Sequence, residues 1–471
     1  MKLSLAQLAQ SLGLNFQVMD CEFENISINT KTLNKGDLFV AIKGENFDAH
    51  DFLDEVKQKG ACALVVEKCN SVKLPQLQVA DTRIALGTIA SLWRQNYHLP
   101  IVAITGSCGK TTVKEMTSKI FQYEKQCVLA TQGNLNNDIG VPLTLLRLNK
   151  EHKMAVIEMG ANHLGEIKQL VTITQPDIAV ITNVAHAHIE GFGSIDGIAK
   201  AKAEIYSGLN NKGVAIINAD DPYAHFWQQK CQQLAEQKEI TSLSFGLDHN
   251  ADISATYQTL SNGIDMRIST PEETINVHLN QYGKHTIYNA LAATSVALAA
   301  QCSIKNIKLG LENFTNITGR LEQKKGLYGS VIFDDTYNAN PGSVIAGVNA
   351  IQQIEGEHIV VLGDMGELGQ ESKTLHYELG VAIAKLGIEQ LLTVGSHSLH
   401  ISDGFNHTIK DKAHKALHFS DKKTLIAKLT LLLKQNAKTE NILLIKGSRT
   451  MKMEEVVMEL LEENTSKKDI K

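Results

Sequence analysis

The stretch Ile101-Val102-Ala103-Ile104-Thr105-Gly106-Ser107-Cys108-Gly109-Lys110-Thr111-Thr112 decides how the rest of this chain is read. Its first four residues are apolar and suit a buried strand. A glycine-bearing turn follows, and Val113, Met116, Ile120 and Phe121 then fall on one face of a helix. Strand, glycine-rich turn and helix is the context a phosphate loop needs. Glycines let the backbone close around an anion, backbone N–H groups point inward, and the helix N-terminus adds partial positive charge. On this reading Gly106, Ser107, Cys108, Gly109, Lys110, Thr111 and Thr112 cradle a nucleotide. Lys110 reaches the β- and γ-phosphates, and the Thr111 hydroxyl ligates Mg²⁺. The common loop has four residues between its glycines; this one has two, with Ile104 where the first glycine is expected. The rival reading is a plain strand-to-helix turn that contains Gly-Lys.

Outward from the loop the pattern repeats. Apolar runs at residues 155–157, 178–181 and 214–217 alternate with helical stripes, which predicts βαβ units and a parallel sheet. Residues 252–279 show short alternating runs with a turn at Ser261-Asn262-Gly263, an antiparallel meander, and a helix follows over 288–300. A second alternating series has strands at 331–333, 359–362, 391–394 and 442–445 and a last helix over 453–461, an independent doubly wound unit. Before residue 82, strand-like runs at 38–42 and 63–66 mix with helices over 4–12 and 51–59. The predicted architecture is therefore α/β in three domains, with boundaries at 1–81, 82–315 and 316–471. A length of 471 residues suits about three domains.

Composition removes several function classes. The formal charge is −5, with no basic excess of the kind nucleic-acid binders carry. Seven scattered cysteines without metal-site spacing read as free thiols in a reducing, cytoplasmic setting. No stretch approaches the roughly 20 apolar residues of a membrane span, and polar residues interrupt the N-terminal stripe where an export signal would be unbroken.

Other candidate residues sit at strand ends, where ligands of open α/β sheets collect. Glu158 ends one strand, and a carboxylate there suits a hard cation such as Mg²⁺ or simply faces solvent. Asn183, His186 and His188 follow another, and Lys200 and Lys202 lie in an alanine-rich helix; taken alone these residues decide nothing. In the second series Asp334-Asp335, Gly363 to Gly369, and Lys446-Gly447-Ser448-Arg449 each follow a strand, and together they favour one binding edge.

The loop at 105–112, Gly133-Asn134-Leu135-Asn136-Asn137-Asp138 with Ile139 to Pro142, Glu158-Met159-Gly160-Ala161 and the His188…Lys202 spacing together resemble the Mur ligases, ATP-dependent amide-forming enzymes of peptidoglycan synthesis. The shortened phosphate loop is that family's form. Asp335 to Pro341, Gly363 to Gly369 and Lys446 to Arg449 are similar to the branch that adds D-alanyl-D-alanine; the Asp-Asn-Pro-Arg motif of the diaminopimelate-adding branch is absent.

The resemblance implies a UDP-substrate domain, an ATPase domain and a Rossmann-like dipeptide domain. It implies that ATP converts the carboxylate of UDP-N-acetylmuramoyl-tripeptide to an acyl phosphate, which the D-alanyl-D-alanine amine then attacks. Lys110, Glu158, His188 and Lys202 become the catalytic set. Two Mg²⁺ ions are implied, one on Thr111 and Glu158, the other on His188 and a carbamylated Lys202. Asn289 contacts adenine, Arg320 the phosphates and Asp335 the ribose. Thr30, Lys31, Asn136, Asn137, Asn340, Lys446 and Arg449 are the implied substrate contacts, and a monomer is expected. Two positions depart from the family: Asn29-Thr30-Lys31 replaces Asp-Ser-Arg, losing a bidentate phosphate donor, and Thr286 replaces Asn. The rivals are a folylpolyglutamate synthase-like ligase and a P-loop kinase or NTPase. The kinase reading leaves the 335–341 motif unexplained.

Overall fold

A computed structural model describes residues 3–15, 19–44, 47–125, 127–185, 189–409 and 414–462. Its central element is a six-stranded parallel sheet in the order Thr241–Phe245, Val214–Asn218, Ile178–Ile181, Ile101–Thr105, Met154–Glu158, Val128–Ala130. Parallel strands need covering on both faces, and the side chains divide accordingly. Val102, Ile104, Val156, Val180 and Ile216 enter one core, with the Lys110–Lys125 and Lys284–Ala299 helices. Their neighbours Ile101, Ala103, Ala155, Ile157, Ala179 and Ile217 enter a second core on the opposite face. The alternation is the strand period of two expressed as two buried layers.

A three-stranded antiparallel meander, Ser254–Leu260, Gly263–Ser269 and Thr274–Leu279, closes onto the first of these cores. The expected turn is tighter than the three residues read from the sequence. Only Ser261 and Asn262 form the loop, and Gly263 pairs with Leu260 at φ +138°.

The C-terminal sheet runs Glu322–Lys325, Val331–Asp335, Asn441–Lys446, Glu357–Gly363, Gln390–Val394, Leu417–Phe419. All pairs are parallel except the first, which is antiparallel. Again Phe333, Val360, Leu362 and Leu444 face one core and Ile332, Ile359, Val361 and Leu443 the other. A small four-stranded parallel sheet, Ile26–Ser27, Leu38–Val40, Ala63–Val66 and Gln76–Gln78, carries the N-terminal unit.

The helix Thr82–Gln95 belongs to two cores at once. Asp81 caps it, accepting the N–H groups of Arg83 and Ile84. Ala85, Leu86 and Ile89 pack with the N-terminal sheet, whereas Ala90 and Trp93 pack under the central one. Arg83 also bridges to Asp138 of the central unit at 2.9 Å. Among the described residues no helix is long and apolar enough to cross a membrane.

Candidate active site

The central and C-terminal sheets direct the carboxyl ends of their strands into one cavity of 1120 Å³. The phosphate loop, Glu158, Thr182 and Asn218 line it from the central sheet; Asp335, Gly366 and Lys446 line it from the other. Strand-end loops diverge there, so the crevice follows from the two topologies.

Close packing sets the shape of the phosphate loop. Gly106 has φ +151°, and a Cβ on it would lie 1.8 Å from Thr182 Oγ1. Gly109 has φ +83°, and its Cβ would lie 2.4 Å from Asn289 Oδ1. Asn183 brackets the Cys108 peptide: its Oδ1 accepts the Cys108 N–H at 3.0 Å and its Nδ2 donates to the carbonyl at 3.2 Å. Ser107 donates its N–H to the Asn183 carbonyl, and its hydroxyl exchanges hydrogen bonds with the Ala185 backbone. Behind this brace, Asp221 accepts the Val184 N–H at 2.7 Å and Asn218 donates to the Thr182 carbonyl at 2.9 Å. Lys110 turns back onto its own loop, donating to the Gly106 carbonyl at 2.7 Å. Burial pushes its ammonium down, and the Glu158 carboxylate pulls it up.

Glu158 is 2 % exposed. Its Oε1 accepts from Asn136 Nδ2 at 2.9 Å, while its Oε2 has no partner among the described residues. A buried carboxylate oxygen without a donor is costly, and a cation would relieve it. Mg²⁺ commonly takes one or two carboxylates and completes its shell with phosphate and water. Glu158 and the Thr111 hydroxyl fit that ion, although no group of three or more His, Cys, Asp or Glu that could hold a metal exists among the described residues.

Lys202 is 3 % exposed and lines the same cavity. Its Nζ stands 6.0 Å from the Phe192 ring centroid. Burial, and then the positive charge of Lys110, push its ammonium well below the usual lysine range. His186 and His188, the latter expected to share a metal with Lys202, lie outside the described residues.

On the opposite wall the Arg320 guanidinium lies 4.3 Å from the Tyr337 ring centroid and donates to Thr111 Oγ1 at 3.0 Å. Lys446 is buried and donates to Asp335 Oδ2 at 2.6 Å and to the Asn338 carbonyl at 2.8 Å. Two residues the resemblance attaches to different ligands, ribose and dipeptide, are therefore one ion pair. Asn340 caps the Pro341–Ile351 helix by accepting the Ser343 N–H, and its Nδ2 donates to Cys108 Sγ at 3.4 Å. That contact joins the phosphate loop to the C-terminal unit.

Asn136, Asn137, Asn289 and Arg449 also line the cavity. Asn137 additionally accepts the Gly140 N–H at 2.9 Å, and Arg449 pairs with Glu454 at 2.9 Å. Thr30 and Lys31 do not line it. They occupy a turn in which Asn29 accepts the Lys31 N–H and Lys59 donates to the Thr30 carbonyl.

Sequence reasoning singled out Asn183 without giving it a role, missed Asp221 and Asn218, and carried Tyr337 only as part of the 335–341 motif. The signal for the middle pair was Asn218-Ala219-Asp220-Asp221 at a strand end, the same position that drew attention to Glu158.

A braced phosphate loop, a buried carboxylate with a free oxygen and a second sheet closing the same cavity define a class: nucleotide-dependent enzymes that carry out group transfer between two α/β units. Three family models match the chain in order: "Mur ligase family, catalytic domain" over 22–94, "Mur ligase middle domain" over 104–297 and "Mur ligase, glutamate ligase domain" over 319–449. The UDP-N-acetylmuramoyl-tripeptide–D-alanyl-D-alanine ligase of Escherichia coli K12 is 43% identical over 98% of this chain and 99% of its own. A crystal structure of MurF from Acinetobacter baumannii superposes with TM-score 0.90 at 36% identity, covering 98% of this chain and 99% of that one. One of MurF from Thermotoga maritima in complex with ADP gives 0.80 at 26%, covering 92% and 96%. The chain belongs to the Mur ligase family.

Proposed function

We propose that this chain joins D-alanyl-D-alanine to UDP-N-acetylmuramoyl-tripeptide at the expense of ATP, releasing ADP and phosphate. The observation that carries the reading is the single cavity into which a braced phosphate loop and the 335–341 and 446–449 turns both project, in a chain alike over its whole length to ligases of that name. The tripeptide carboxylate attacks the γ-phosphorus and ADP leaves. The dipeptide amine then adds to the acyl carbon, and phosphate leaves as the amide forms. Placing that water-sensitive acyl phosphate between two units limits hydrolysis.

In this reading the loop residues 106–112 hold the phosphates, Asn289 meets adenine, Asp335 the ribose and Arg320 the transferring phosphoryl group. Thr111 and Glu158 would hold Mg²⁺, which would supply neutralisation of phosphate charge when bound. Asn136, Asn137, Asn340, Lys446 and Arg449 form the peptide-facing wall, Lys446 acting jointly with Asp335. Thr30 and Lys31 receive the uridine nucleotide from the first unit. Residues 1–81, 82–315 and 316–471 bind the UDP substrate, ATP and dipeptide respectively, in a cytoplasmic monomer.

Lys202 fits a carbamate. Burial and the neighbouring Lys110 charge disfavour its ammonium and so favour the free amine, the form that adds CO₂ and loses a proton, and the resulting anion would hold a second Mg²⁺ with His188. Lys202→Ala is expected to lose at least about 100-fold in kcat; near-normal activity removes the carbamate role.

The deciding assay measures phosphate released from ATP with each peptide substrate omitted in turn. Release requires both under this proposal, and release indifferent to the dipeptide sinks it.

A further inference from the structure

Lys114 has no part in the chemistry described above, yet it is 1 % exposed, an unusual state for an ammonium. It sits one helical turn after Lys110 in the Lys110–Lys125 helix. Its Nζ donates to the Thr131 carbonyl at 2.7 Å, a buried bond, and its charge is balanced by Glu115 at 2.6 Å. Thr131 follows the edge strand Val128–Ala130 and extends its ladder, donating its N–H to the Val156 carbonyl at 3.1 Å. The Thr131 hydroxyl accepts the Glu158 N–H at 2.9 Å, again inside the protein.

We infer that Lys114 and Thr131 are positioning residues for Mg²⁺, fixing Glu158 relative to the phosphate loop. The geometry makes a continuous path from the helix that carries Lys110 and Thr111, through the Lys114 side chain and the Thr131 residue, to the backbone of Glu158. Asn136 holds Oε1 of that carboxylate, and the buried Oε2 has no hydrogen-bond partner among the described residues. Both members of the ion's donor set, the Thr111 hydroxyl and the Glu158 carboxylate, are thereby referred to one helix. The edge strand alone would not hold Thr131 so closely, because it is hydrogen-bonded to a neighbour on one side only. Lys114 supplies the missing restraint. A buried cation held for this purpose explains why an apolar residue does not fill the site.

The inference rests on the Glu158 assignment made under the proposed function, and the test separates the two. Mn²⁺ binding to the full-length enzyme with ADP is measured by electron paramagnetic resonance, with thermal melting followed alongside. Thr131→Val, which keeps shape and removes the hydroxyl, and Lys114→Met are each expected to weaken Mn²⁺ binding roughly 10-fold or more, as loss of a group orienting a ligand does. Thr131→Ser is expected to restore it. The Mg²⁺ concentration for half-maximal turnover should rise in parallel. The double variant should bind no more weakly than the worse single one, because both changes cut the same path. If Lys114→Met fails to fold, the Thr131→Val and Thr131→Ser pair carries the test unaided. Mn²⁺ affinity unchanged in Thr131→Val, with only the melting temperature lowered, overturns the inference and makes the network structural. Glu158→Ala is the control: if it too leaves Mn²⁺ affinity unchanged, the Glu158 assignment falls first. If it weakens binding while Thr131→Val does not, only the positioning role falls.

Discussion

At the residue scale, the phosphate loop depends on two contacts that leave no space for a methyl group. Gly106→Ala would drive a Cβ to 1.8 Å from Thr182 Oγ1 at a φ of +151°, so the loop must shift. The expected result is at least about 100-fold lower kcat/KM, together with roughly 1–3 kcal/mol lower stability, as overpacking costs. Steady-state kinetics and urea unfolding check both arms. Arg320 offers a subtler case, because its guanidinium lies over the Tyr337 ring while it donates to Thr111. Such cation–π contacts contribute about 0.5–2 kcal/mol, which is a roughly 2- to 30-fold effect. Tyr337→Leu should raise the KM for ATP by that factor, and Tyr337→Phe, which keeps the ring, should stay within about twofold of the parent.

At the element scale, the 364–369 turn between strand and helix is pinned from two sides. Asp364 accepts the N–H groups of Ser396, His397 and Ser398, which keeps its carboxyl below the usual range despite partial burial. His376, fully buried, accepts the Met365 N–H on Nε2 at 3.0 Å and donates from Nδ1 to the Ser372 carbonyl at 2.7 Å. Only the neutral ring makes both bonds. Burial lowers its pKa, with Asp364 opposing and His397 and His400 adding to the effect. As pH falls below about 6.5, the unfolded ring takes up a proton that the folded one refuses, so stability declines with acidification until the folded pKa is reached. His376→Gln should be less stable at pH 7.5 yet lose less between pH 6.5 and 5.5 than the parent. Urea titrations at those three values measure the difference, and equal losses would exclude His376 as the titrating group.

Elements also show what was legible in the sequence. The interior strands of both large sheets were readable, because two covered faces require unbroken apolar runs such as Ile178–Ile181 and Ile442–Ile445. The edges were not. Val128–Ala130, Thr241–Phe245, Glu322–Lys325 and Leu417–Phe419 each lie at the end of a sheet, and Glu-Gln-Lys-Lys carries no buried pattern to detect. The site divides in the same way. Residues in contiguous motifs at strand ends stood out, whereas Lys114 and Thr131 act through a contact between residues 17 positions apart that no local pattern announces. The Asp335–Lys446 ion pair, 111 positions apart, was visible only as two separate candidates.

At the scale of the whole molecule, the shared Thr82–Gln95 helix ties the N-terminal sheet to the central one. Removing residues 1–81 would strip the partners from Ala85, Leu86 and Ile89, which are buried in the intact chain. A chain starting at residue 82 is therefore expected to expose that apolar stripe and aggregate. In scanning calorimetry of the intact protein, the first two sheets should melt in one cooperative step. Light scattering and the number of heat-absorption peaks test these outcomes.

The cavity walls come from the central and C-terminal sheets, joined by the segment between the Ile304–Glu312 helix and the Glu322–Lys325 strand and bridged by the Cys108–Asn340 contact. A small molecule that touches both walls is measuring their mutual orientation as well as their chemistry. Its apparent affinity contains the population of the orientation it needs, a factor common to every such compound. Substitutions at Thr318 or Gly319, positions of the joining segment that do not line the cavity, should thus weaken all two-walled inhibitors by the same ratio and leave nucleotide analogues held by the phosphate loop alone unaffected. Resistance by that route would be class-wide, and a compound confined to one wall would evade it.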